Sequence, residues 1–223
     1  MAFTRDEYFE RWSELHGGYD PRSSRWALGW LTGIHVLAKP FAALRVPPDL
    51  ITVLGVLVAG AAAWLASLGG RWCLAAAAVV VLSGITDNLD GAVAVMTGRT
   101  TRWGYVLDSV VDRVSDGLYL VALWLAGAPA SACVVAGALM ALQEYARARA
   151  GAAGMSEVGV VTVWERPTRI VVTTMFLVGA GLYLSATATW ATWGSWAWVG
   201  LGVVGLVQLL IAVRRRLAAP DAH

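Results

Sequence analysis

From residue 50 onward the chain alternates long apolar runs with short polar or glycine-bearing breaks. Six runs, at 50–69, 73–98, 103–126, 129–150, 168–188 and 191–212, are each long enough for the ~20 apolar residues that cross a bilayer as a helix. The breaks fall at Gly69-Gly70, at Gly98, from Gly127 to Pro129, from Gly151 to Gly154, and around Trp193-Gly194. Before the first run the pattern changes. Tyr8, Trp12 and Leu15 share one helical face, while Asp6, Glu10 and Glu14 lie largely elsewhere, which predicts an amphipathic helix. A semi-apolar stretch at 26–44, interrupted by Lys39-Pro40, predicts a segment lying in the membrane interface rather than across it. The expected fold is all-α and polytopic, six transmembrane helices preceded by an N-terminal amphipathic, interfacial helix. Three regions follow: a cytoplasmic and interfacial segment at 1–48, a six-helix membrane domain at 49–216, and a short cytoplasmic tail at 217–223.

Composition agrees with that reading. Hydrophobic residues make up 58% and charged residues 14% of 223, which excludes a soluble enzyme, a disordered tail and a disulfide scaffold. The net charge of +2 is too small for a nucleic-acid footprint, so no nucleic-acid partner is expected. Cys73 and Cys133 lie in apolar runs and read as small core residues. The charged N-terminal residues lack an apolar h-region, so no cleavable signal peptide is expected. Arg5, Arg11, Arg22, Arg25, Lys39, Arg45, Arg99, Arg102, Arg147, Arg149, Arg166, Arg169 and Arg214 to Arg216 all fall on one side of a six-span arrangement, and Arg71 falls on the other. The positive-inside rule then puts both termini on the cytoplasmic side of a cell membrane. Trp72, Trp124, Trp190 and Trp193 fall near the outer ends, as an aromatic belt does.

The acidic residues break the apolar pattern. Asp87, Asp90, Asp108, Asp112 and Asp116 stand inside the second and third runs. Each aspartate within a span costs ~2.5–3.5 kcal/mol on insertion scales, so the set calls for a function. Asp87 and Asp90 are spaced i, i+3, and Asp108 and Asp112 are spaced i, i+4, so each pair shares a helix face. The short break at Gly98 folds the two helices together, and four carboxylates converge. Hard oxygen ligands of this kind suit Mg²⁺, Mn²⁺ or Ca²⁺, not Zn²⁺. The structural alternative is a set of buried aspartates paired with Arg99, Arg102 and Arg113, and Asp116, one turn deeper, is best read that way.

Taken in order, the stretch reads Asp87-x-x-Asp90-Gly91-x-x-Ala94-Val95, then eight residues, then Gly104-x-x-x-Asp108-x-x-x-Asp112. It closely resembles the CDP-alcohol phosphotransferase signature DxxDGxxAR-x8-GxxxDxxxD, with Val95 standing where the family usually has Arg. Pro48-Asp49-Leu50-Ile51-Thr52 resembles the family's element at the start of the first span. The resemblance implies transfer of a phosphatidyl group from CDP-diacylglycerol to an acceptor hydroxyl, with release of CMP. It also implies a two-metal site for Mg²⁺ or Mn²⁺ on Asp87, Asp90, Asp108 and Asp112, with Asp112 also acting as general base. Asp49, Thr52, Gly91, Ala94, Thr101 and Gly104 would line the cytidine nucleotide pocket.

For the acceptor, Glu144-Tyr145-Ala-Arg147-Ala-Arg149-Ala and Glu165-Arg166-Pro-Thr-Arg169 resemble elements of the actinobacterial phosphatidylinositol phosphate synthases. That resemblance implies a phosphorylated polyol acceptor, such as inositol phosphate or glycerol phosphate, held by Arg147 and Arg166. The subfamily usually has Lys in place of Arg147 and Glu in place of Gly151. Ordinary positive-inside anchoring is the competing reading, above all for Arg149 and Arg169. Two other classes stay open on the residues: another metal-dependent diphosphate enzyme of the membrane, prenyltransferase-like, and an impaired family member or scaffold, favoured only by Val95. The glycines of the last two runs, Gly179, Gly181, Gly200, Gly202 and Gly205, suit packing within the chain or between the protomers of a homodimer.

Overall fold

The computed structural model describes residues 4–15, 18–155 and 161–218; residues 219–223 of the expected tail lie outside it. Eight α-helices run in order: α1 (Arg5–Leu15), α2 (Arg25–Ala43), α3 (Pro48–Ser67), α4 (Trp72–Thr97), α5 (Arg102–Leu125), α6 (Ala130–Ala152), α7 (Arg166–Leu182) and α8 (Thr187–Leu217). A helix stands at each of the six apolar runs. Among the described residues three stretches are long and apolar enough to cross a membrane: α3, α4 and Leu184–Leu217, which joins a 3-10 turn to α8. The other three miss that standard for visible reasons. Asp108, Asp112, Arg113 and Asp116 stand within α5, Glu144, Arg147 and Arg149 stand near the end of α6, and α7 has only 17 residues.

The contacts divide into two compact units, residues 1–58 with 82–115 and residues 59–81 with 116–223. In the first unit, α1 begins with a reciprocal cap. The Thr4 hydroxyl accepts from the Glu7 amide and the Glu7 carboxylate accepts from the Thr4 amide, satisfying two donors at the helix start. Tyr8 and Phe9 of α1 pack with Leu31, Ile34, Ala38 and Ala42 of α2, and with Ile51, Leu89, Ala92, Val93, Val95 and Met96. Val95 is thus a core residue at the place where the related signature has Arg.

The expected interruption at Lys39-Pro40 does not occur: α2 is continuous through Pro40. Proline's missing amide costs the Val36 carbonyl its helical donor, a loss the packed helix absorbs, and α2 closes one turn later at Leu44. Beyond the helix, Arg45 takes a φ of 55°, while its amide and that of Val46 return to Ala42 and Phe41. Arg99 donates to the carbonyl of this left-handed residue at 3.2 Å. The predicted break at Gly98 has the same motif with the residue that suits it. Gly98 lies at φ 65°, and the amide of Arg99 returns to Ala94.

In the second unit the core gathers Ala59, Ala63, Ala66, Cys73, Ala76, Val80, Tyr119, Leu123, Cys133, Ala136, Leu177 and Trp198 among others, and both cysteines are buried and free. The break expected at Trp193-Gly194 is also corrected: both residues lie inside α8, and the chain turns instead at Tyr183 and the following 3-10 turn, Leu184–Ala186. Gly194 is there for close packing. A Cβ on it would come within 2.8 Å of Phe176 and 3.2 Å of Leu123. Gly179, Gly181, Gly202 and Gly205 likewise meet Trp190, Leu74, Leu139 and Trp164 of the same chain, whereas a Cβ on Gly200 would meet nothing within 4 Å. Trp164 packs edge to face on Trp198, ring centroids 5.0 Å apart, both fully buried.

Candidate functional site

Helix spacing delivers the carboxylates of the first unit to one place. Asp87 projects from α4, and Asp108 and Asp112 project from successive turns of α5. Each offers an oxygen, and these oxygens lie within 4.8 Å of one another on half-buried side chains. At that distance two full charges repel by roughly 3 kcal/mol even at an effective dielectric of about 20. Arg113 reaches Oδ2 of Asp112 at 3.3 Å. Asp90 follows Asp87 by one turn of α4 and lies beside this trio, outside its 4.8 Å grouping. It is buried, its Oδ1 accepts from the Gly91 amide, and its Oδ2 has no hydrogen-bond partner. A buried carboxylate oxygen without a donor calls for a cation or a proton. An all-oxygen donor set with such an atom beside it fits a hard divalent cation.

Three of the residues expected at the nucleotide also meet. Thr101 caps α5 by accepting from the Gly104 amide at 2.9 Å. A Cβ on Gly104 would sit 3.1 Å from Thr101 Oγ1 and 3.7 Å from Asp49 Oδ1. Thr52 donates within α3 to the Pro48 carbonyl. Gly91 is exposed, and nothing lies within 4 Å of where its Cβ would be, so that side of α4 is open; Ala94 is half-buried one turn on.

The arginines of the second unit separate into two kinds. Arg169 is fully buried. It donates to Asp116 at 2.7 Å, to Glu144 at 3.0 Å and to the Trp164 carbonyl at 3.1 Å. The pairing reading of Asp116 therefore holds, with Arg169, from α7, as a partner. Arg147 is half-buried, 2.7 Å from Glu165 and 3.7 Å from Glu144. Arg166 opens α7 and is half-buried, and Arg149 is exposed. The sequence reading passed over Gln143, Thr162 and Glu165 as site residues. Gln143 is buried and donates to Thr162 Oγ1 and to the Trp164 carbonyl. A glutamine in an apolar run was the signal available.

Arg169→Met is expected to destabilise the folded protein by ~3–5 kcal/mol, because buried Asp116 would lose its 2.7 Å ionic bond and Glu144 its 3.0 Å one. Thermal unfolding in detergent measures this. An unchanged Tm would mean that the carboxylates find other donors.

Comparison with known proteins gives a consistent result. A sequence model of the family described as CDP-alcohol phosphatidyltransferase matches residues 45–204. The phosphatidylinositol phosphate synthase of Streptomyces avermitilis is 32% identical over 82% of this chain and 80% of its own length. The archaetidylinositol phosphate synthase of Pyrococcus horikoshii is 29% identical over 70% of this chain and 84% of its own. Among solved structures, the Mycobacterium tuberculosis phosphatidylinositol phosphate synthase with CDP-DAG bound superposes with a TM-score of 0.67 at 28% identity, covering 85% of this chain and 96% of that one. The same enzyme in complex with manganese and citrate gives 0.66 at 29% identity, covering 81% and 88%.

Proposed function

The chain belongs to the CDP-alcohol phosphatidyltransferase family, and from that premise we propose that it moves a phosphatidyl group from CDP-diacylglycerol to the hydroxyl of inositol phosphate and releases CMP. It is a membrane transferase of phospholipid synthesis, as the family and the relatives' names establish. Membership displaces the prenyltransferase-like reading, and the intact set of aspartates supports an active member over an impaired one. Val95 stands in the apolar core, and every aspartate of the signature is present.

The observation that carries the chemistry is the convergence of Asp87, Asp108 and Asp112 within 4.8 Å. We assign divalent cations, Mg²⁺ or Mn²⁺, to these three and Asp90; a solved relative in complex with manganese supports the assignment. When bound, such cations supply Lewis acidity to the donor diphosphate and its CMP leaving group. Asp112 takes the proton of the acceptor hydroxyl as the new oxygen–phosphorus bond forms at the phosphatidyl phosphorus and the bond to CMP breaks. Asp49, Thr101 and Gly104, with Thr52, Gly91 and Ala94, hold the cytidine diphosphate portion; the relative with CDP-DAG bound supports this donor. Small side chains there leave room for the ligand beside the backbone.

Two of the similar proteins, one bacterial and one archaeal, are named for an inositol phosphate product, which supports that acceptor. Arg147 and Arg166 are assigned to its phosphate, for which planar guanidinium groups are suited. We further assign six spans, helices α3 to α8, in a cell membrane, with 1–48 as an interfacial segment, 217–223 as a tail, both termini cytoplasmic, and a homodimer as the assembly. The alternation of basic residues along the chain supports the orientation.

The test is CMP release by purified protein from CDP-diacylglycerol with inositol phosphate, glycerol phosphate, serine or inositol as acceptor. Inositol phosphate is expected to give the fastest turnover. Arg147→Ala and Arg166→Ala are expected to raise its KM roughly tenfold to a hundredfold, at ~1.5–3 kcal/mol per charge-assisted bond, with little change for CDP-diacylglycerol. Equal losses with inositol and inositol phosphate would remove the acceptor assignment.

A further inference from the structure

The hydrogen bonds around Glu165 set it apart from an ordinary helix cap. Glu165 stands at the N-cap of α7, yet its side chain makes no cap bond. Its Oε1 instead accepts from the Thr162 amide at 2.8 Å, the Thr162 hydroxyl at 2.8 Å and Arg147 Nη2 at 2.7 Å. The Thr162 hydroxyl is itself fixed. Its oxygen accepts from Gln143 and from the Trp164 amide, so its one proton is directed at Glu165. Glu165 is therefore held in place by two donors whether or not Arg147 is there. Glu144, the other carboxylate beside Arg147, is engaged by buried Arg169 and lies 3.7 Å from Arg147 Nε.

Arg147 thus makes a short ionic bond to a carboxylate that does not depend on it, and both side chains keep access to water, 30% and 28% exposed. We propose that Glu165 is an internal surrogate for the acceptor's phosphate: it occupies the Arg147 guanidinium until a phosphorylated acceptor arrives and displaces it. This rests on the assignment of Arg147 to the acceptor phosphate. A carboxylate and a phosphate compete for the same planar donor face. When the phosphate wins, Oε1 still has both Thr162 donors, so the exchanged carboxylate is not left unsatisfied. The surrogate weakens acceptor binding and keeps Arg147 ordered in the meantime, making Glu165 a residue that sets acceptor affinity.

The test varies inositol phosphate at saturating CDP-diacylglycerol, and separately uses inorganic phosphate as a competitive inhibitor. Glu165→Gln keeps an oxygen for Thr162 and removes the charge that holds Arg147. KM for inositol phosphate and Ki for inorganic phosphate are both expected to fall about twofold to fivefold, the value of a half-exposed ion pair. The KM for CDP-diacylglycerol should stay as it was, and in an Arg147→Ala background Glu165→Gln should change nothing further. An unchanged or raised acceptor KM, with Arg147→Ala still raising it, overturns the surrogate while leaving the acceptor assignment standing. A fall that persists without Arg147 also overturns it, because the carboxylate would then act by simple repulsion. If Arg147→Ala leaves the acceptor KM unchanged, the acceptor assignment fails and this inference with it. Should Glu165→Gln not fold, Glu165→Asp, one methylene shorter, is expected to move KM and Ki the same way to a smaller extent, and no movement there is equally fatal.

Discussion

Removal of divalent cations from the purified protein is expected to bring CMP release down to background, and added Mg²⁺ or Mn²⁺ to restore it. Asp87, Asp108 and Asp112 present oxygens within 4.8 Å of one another, and Arg113 lies 3.3 Å from one of them. A donor diphosphate brings further negative charge. Without cations every carboxylate in the group would oppose its approach, and the cost of roughly 3 kcal/mol per pair grows as the ligand displaces water. Titration of Mn²⁺ into chelated protein, followed by its magnetic resonance signal, reports binding apart from turnover. Undiminished turnover in excess EDTA would overturn the cation assignment.

The second large effect is expected at Asp112. Asp112→Asn keeps the shape and one oxygen, but removes a negative charge and the capacity to take a proton. Loss of general-base help costs ~10²–10⁴-fold in kcat, and CDP-diacylglycerol binding should survive better than turnover. Asp90→Asn provides the contrast. Asp90 lies outside the trio, so a loss there should appear first as a weaker response to cation rather than as a loss of kcat at saturating cation. Equal effects on donor binding and turnover at Asp112 would remove the base from the mechanism and leave only a ligand.

Much of this was legible in the chain. The i, i+3 and i, i+4 spacings put carboxylates on helix faces because the helical repeat leaves no choice, and the structure gathers three of the four. Gly98 and Gly127 announced turns because each adopts a positive φ. Gly194 announced a turn by the same composition and is instead a contact. A glycine serves either a backbone angle or a close approach, and only the partner, here Phe176, tells which. Pro40 misled for a similar reason, since its effect depends on how near the end of the helix it falls. Arg166 and Arg169 are three residues apart and alike in sequence. What makes Arg169 a buried structural group is Asp116, 53 positions away, and local pattern carries no record of such a partner. The cap of α1 was legible in Thr4-x-x-Glu7 and was passed over.

The edge-to-face pair of Trp164 and Trp198 gives the protein an optical handle on its own chemistry. Two indoles locked at 5.0 Å in a fixed, chiral surrounding produce near-ultraviolet circular dichroism that vanishes when tertiary packing loosens. Trp164 sits in the chain between Thr162, which fixes Glu165, and Glu165 itself. The part of that ellipticity lost on Trp198→Phe, taken as a difference against the other tryptophans, is therefore a label-free gauge of whether the segment that holds Arg147 stays seated, readable in detergent without substrate and without turnover.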